Sequence, residues 1–74
     1  MDEQEIKARL VAENEEFKAI FEEHRTCKQE LDGFQSKSFL TENESAIMKE
    51  LKRKKLTLKD KMYRMMDEFR KSVT

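Results

Sequence analysis

The chain has 74 residues, 36% hydrophobic and 43% charged, with sixteen basic and sixteen acidic side chains and a formal net charge of +0. One small domain is the most it can build, and a core of that size is marginal unless a disulfide, a metal or a partner reinforces it. A single cysteine, Cys27, excludes an internal disulfide, and zero net charge leaves the molecule as a whole no electrostatic claim on nucleic acid or membrane.

The low-cysteine composition suits the cytoplasm. No apolar run approaches the roughly 20 residues of a membrane span, and the opening MDEQEIK is acidic and polar, unlike a secretory leader. With no proline and one glycine, an all-α chain is expected.

Ile6, Leu10, Phe17, Ile20, Phe21, His24, Cys27 and Leu31 fall within about 120° of a straight helix, an amphipathic stripe. Leu10, Phe17, His24 and Leu31 repeat every seven residues, as in one seam of a coiled coil. Glu13 and Asn14 interrupt the stripe, and NEEF could cap a second start. The periodicity favours one helix continuing from about residue 3 to 32. Gly33 is the natural C-cap because it enters the left-handed conformation without a Cβ penalty. A hinge of about 33–41 follows, and TENE at Thr41–Glu44 has the spacing of a capping box, with Ser38 as a rival cap.

A second helix is expected over about 42–70. Its stripe is Ile47, Met48, Leu51, Leu58, Met62, Met65, Met66, Phe69 and Val73, roughly 100° wide. Lys54 and Lys55 fill the gap between Leu51 and Leu58 with their methylene stems. The methionines read as core gap-fillers ahead of an adaptable binding surface. Two stripes and one hinge predict an antiparallel helical hairpin, coiled-coil-like, that dimerises into a four-helix bundle.

LKRKKLTLKDKMYR, residues 51–64, holds seven Lys or Arg and one acid. Residues 1–35 carry five basic against ten acidic side chains, and residues 36–74 eleven against six, so the halves are −5 and +5. Folding at the hinge brings Glu22 and Glu23 towards Lys52–Lys55, Glu15 and Glu16 towards Lys59 and Lys61, and Asp2–Glu5 towards Arg70 and Lys71. Each exposed pair is worth about 0–1 kcal/mol, yet together they favour the antiparallel arrangement. The basic run therefore has an expected partner in its own chain. The alternative is a nucleic-acid-binding face, with Lys52, Arg53, Lys54, Lys55 and Lys59 as its patch, extended by Lys49 and Lys61. Only Tyr63 is nearby to stack on bases. Membrane contact through the Met-rich basic helix is a third reading.

Enzyme signatures are missing, and no cofactor or small-molecule substrate is expected. One glycine cannot build a phosphate-cradling loop, and adjacent acids such as Glu15–Glu16 diverge by about 100° on a helix. His24 and Cys27 share a helix face and are zinc-ligand types, but two ligands are too few, so no metal is expected. They read as packing residues, His24 with one ring nitrogen bonded to a facing polar group and Cys27 as a small hydrophobe.

FKAIFEEHRTCKQELDGF and LKRKKLTLKDKMYRM together resemble the YdcH-like family of small uncharacterised bacterial proteins. The resemblance runs from about Glu13 to Phe69. Leu51, Lys52, Lys55, Leu56, Leu58, Lys59, Asp60 and Tyr63 match the second stretch position for position, and His24 matches the family histidine. The family usually has an apolar residue at Cys27 and often a proline between Asn14 and Phe17. The lack of that proline here favours an uninterrupted first helix. The resemblance implies a long helical hairpin and no established activity. Leu56 and Tyr63 fit its pattern while pointing off the intrachain stripe, so with Met66 at the stripe's edge they are the candidate interface of a protein–protein contact, with a second copy or a larger partner.

Overall fold

The computed structural model describes residues 2–73 as three helices, α1 (Glu3–Glu13), α2 (Glu15–Gln35) and α3 (Glu42–Val73), with no strand among them. The chain is all-helical. Helices α1 and α2 have 11 and 21 residues and α3 has 32, so the first two together match the third in length. At about 1.5 Å per residue α3 spans roughly 48 Å, the long dimension of a molecule measuring 49 × 20 × 16 Å. Its radius of gyration is 15.0 Å, where a compact globule of this length would have about 11 Å.

The first break departs from the sequence expectation. Asn14 leaves the helical region at φ −124° and ψ 109°, and its side-chain oxygen accepts from the Phe17 N–H at 3.0 Å. Its own N–H closes α1 on the Leu10 carbonyl at 2.8 Å, while its carbonyl accepts from Lys18 at 3.0 Å. Asn14 thus caps one helix and starts the next. The asparagine side chain satisfies one of the N–H donors that the break leaves without an intrahelical partner. Asp2 caps α1 the same way, accepting from the Glu5 N–H at 2.8 Å.

Gly33 is not a cap. It lies inside α2, which runs on to Gln35 and ends at Ser36 with φ −79° and ψ −10°, and no described residue has the positive φ that would need glycine. The last turn is closed by Ser36 N–H to the Asp32 carbonyl at 3.1 Å and by Ser36 Oγ to the Gly33 carbonyl at 2.8 Å. The serine hydroxyl does the work expected of a left-handed glycine. At α3 the capping box forms as read: the Glu44 N–H donates to Thr41 Oγ1 at 3.1 Å and the Thr41 N–H to Glu44 Oε1 at 3.2 Å. Glu44 also pairs with Lys37 across the connection, and these hydrogen bonds hold its carboxyl below the usual range.

The main core joins all three helices: Ile6 and Leu10 from α1, Phe17 from α2, and Met62 and Met66 from α3. Phe17 and Ile6 are fully enclosed, and Val11, Ile20, Phe21, Met65 and Phe69 pack around them. Cys27, Leu31 and Leu58 are buried as well, and Cys27 Sγ donates to the Leu51 carbonyl at 3.1 Å. The start of α3 therefore lies by the end of α2, and its later turns lie by α1. Two stripe residues are not covered. Ile47 and Val73 are 47% and 52% exposed; both lie within two turns of an end of α3, where fewer neighbours surround a side chain. Among the described residues no helix is long and apolar enough to cross a membrane.

Candidate functional site

The basic run of α3 is sorted onto two flanks by the helix period, since Lys54 and Lys55 diverge by about 100°. Lys54 shares a depression with Glu22, Glu23 and Glu30, Arg53 lies near Glu23 and Glu50, and Lys61 lies near Glu16 and Glu23. Lys52 is exposed. The acidic face of α2 thus neutralises one flank of α3, but by proximity. Among the described residues no ion pair within 4.0 Å joins Glu15, Glu16, Glu22 or Glu23 to the lysines of α3. The expected direct bridges are replaced by solvated charges, because fixing two long exposed side chains costs about what the contact returns.

The other flank is not neutralised. Lys55 and Lys59 of α3 face Arg25 and Lys28 of α2 and Lys7 of α1 around a cleft of about 410 Å3 whose apolar wall is Phe21, Met62 and Met66. Among the described residues none of these five cations has a carboxylate within 4.0 Å. Lys59 lies 5.8 Å from the Tyr63 ring centre, a cation–π distance. His24 lines the cleft, and its Nε2 is buried with no hydrogen-bond partner among the described residues. The hydrogen bond to a facing polar group expected for it is not made among the described residues. Burial, then the charges of Lys55, Lys59, Lys7 and Lys28, depress its pKa below 6.5. Tyr63 closes the rim, and its hydrogen bond with the Glu3 carboxylate, with that group's charge, pushes the phenol up.

Leu56 and Tyr63 are 62% and 46% exposed, two turns apart on the outer side of α3. Met66 is not beside them at the surface. It is 2% exposed and packed in the core, since α1 covers the edge of the stripe at which it sits. Cys27 is enclosed and bonded to Leu51, and no group of three or more metal-ligand side chains occurs among the described residues. Sequence reading missed Lys7, Arg25 and Lys28. The signal was available: Phe21, Arg25 and Lys28 lie three to four residues apart, on the side of the stripe opposite Glu16, Glu23 and Glu30.

Residues 17–66 match the family model described as a protein of unknown function, DUF465. The chain belongs to this family. It is the family of the YdcH-like proteins that the two quoted stretches resemble. The match begins at Phe17 and ends at Met66, so α1, with Lys7 and the core residues Ile6 and Leu10, lies outside it. No curated protein and no solved structure matches the chain.

Proposed function

We propose that this DUF465 chain is a non-enzymatic association module: an antiparallel helical hairpin, coiled-coil-like, that pairs with a second copy along the outer line of α3. The observation that carries the reading is the exposure of Leu56 and Tyr63 on one line, 62% and 46%, in a chain with few apolar side chains to spare. A two-fold crossing between residues 59 and 60 makes this line self-complementary. Leu56 meets the other copy's tyrosine, and Lys52 meets its Asp67. Isologous pairing of this kind is what a two-fold dimer requires, and mixed charges around a small apolar centre fix its register. A standard interface takes roughly 800 Å2 per partner, about one-seventh of the 5765 Å2 the chain exposes.

A nucleic-acid role for the whole run Lys52–Lys59 has less support, because Arg53 and Lys54 share their flank with the glutamates of α2. Sedimentation equilibrium over a range of protein concentrations, at low and high salt, tests the pairing. A dimer that persists in high salt and is lost in Leu56→Ser and in Tyr63→Ala, each still helical, is the expected result. A monomer at all concentrations, or a dimer unaffected by both substitutions, would sink it.

A further inference from the structure

We infer that the cleft between α1, α2 and α3 is a binding site for a multiply charged phosphate group, with His24 at its base. Three observations converge. Lys7, Arg25, Lys28, Lys55 and Lys59 surround one concavity, and no carboxylate of the described residues lies within 4.0 Å of any of them. The chain has as many acids as bases, so it could have neutralised this flank as it neutralises the opposite one. Instead the cations of three helices converge, which costs self-repulsion unless an anion offsets it. The buried Nε2 of His24 adds a polar atom that nothing among the described residues satisfies, and a buried unsatisfied group calls for a physical reason, a bound partner being one.

The cleft's size and walls narrow the ligand. About 410 Å3 suits a small molecule, while lysine and arginine nitrogens from several directions suit phosphate oxygens more than a single carboxylate. Phe21 and Met62 offer an apolar surface beside the cations, so the ligand carries an apolar or aromatic part next to its charged group. A phosphorylated metabolite and a phospholipid headgroup share this chemistry. The site is complete within one copy and does not need two chains to pair.

Inorganic pyrophosphate is the first probe, titrated calorimetrically into wild type and into the Leu56→Ser chain, so that failure of pairing and failure of this site remain distinguishable. Lys28→Gln with Lys55→Gln should weaken binding by about tenfold or more. Arg53→Gln with Lys54→Gln, which removes the same charge from the opposite flank, should change it by less than about twofold at 0.15 M salt, where distant charges are screened. The His24 ring resonances should report an upward shift of its pKa on binding, since the anion offsets Lys7, Lys28, Lys55 and Lys59 around the imidazole and Arg25 at the rim. Vesicles with and without anionic phospholipid separate the two sources: binding to them that depends on Lys28 and Lys55 assigns a headgroup, and pyrophosphate binding alone assigns a soluble ligand. No binding of either probe, equal losses in the two double variants, or binding only to a single-stranded oligonucleotide would overturn the inference.

Discussion

Gly33→Ala has opposite expected signs under the two accounts of where α2 ends. A left-handed C-cap would make the alanine cost about 1–2 kcal/mol. The structure puts Gly33 in helical conformation, three residues before Ser36, with nothing within 4 Å of an added Cβ. Alanine there meets no clash, and it removes conformational freedom from the unfolded chain. The helix-interior difference is about 0.8–1.0 kcal/mol, reduced in the last turn, so a gain of about 0.5–1 kcal/mol is expected. For a domain of this size each kcal/mol moves Tm by about 4–8 °C, which predicts a rise of about 2–8 °C. Thermal melts followed by circular dichroism at one fixed protein concentration measure it, because any self-association would make Tm concentration-dependent. A fall in Tm would refute the helical placement of Gly33 and restore it as the cap.

Glu15→Pro should be tolerated, changing stability by less than about 1 kcal/mol, because position 15 is the first helical residue and Asn14 already holds the extended backbone that precedes proline. In an uninterrupted helix the same substitution would cost about 3 kcal/mol or more, so a chemical denaturation curve tells the two apart. His24 should titrate below 6.5 by NMR, with burial the first cause and the neighbouring lysines the second. Its folded state disfavours the proton, so the stability it contributes is present above about pH 6.5 and is lost as pH falls below that value, where the unfolded chain binds the proton first. His24→Gln should flatten that part of the stability profile; a midpoint at or above 6.5 would contradict the environment described.

The helices were legible because their signals are local. Phe17, Leu31, Leu58 and Met62 announce a buried stripe by spacing alone, and Thr41 and Glu44 announce a cap by chemistry at a fixed offset. The two ends of α2 were misread for the same reason, since each local signal admits two solutions. NEEF can continue a helix or cap one, and only the packing of Ile6 and Leu10 against Met62 and Met66 decides which. Gly33 can end a helix or sit inside it, and the Ser36 hydroxyl, a weaker signal in sequence, takes over. Met66 looked like an edge residue because the stripe's width does not reveal which neighbour covers its margin.

The cation cleft was the least legible part, although every residue in it was visible. Net charge by halves, −5 and +5, suggested that the acidic helix neutralises the basic one. That reasoning treats a helix as a rod of uniform charge. A helix presents its charges by angle, and residues three or four apart share a side whatever the sum along the axis. Glu16, Glu23 and Glu30 repeat every seven residues and so gather on one flank of the seam, while Phe21 and Lys28 repeat on the other. Lys54 and Lys61 then fall on the acidic flank, and Lys55 and Lys59 fall where α2 supplies Arg25 and Lys28. The same heptad spacing that makes the core therefore separates one neutral flank from one basic flank in a chain whose total charge is zero. That asymmetry supports both proposals without making them depend on each other: Leu56 and Tyr63 border the basic flank from outside, and His24 borders it from within.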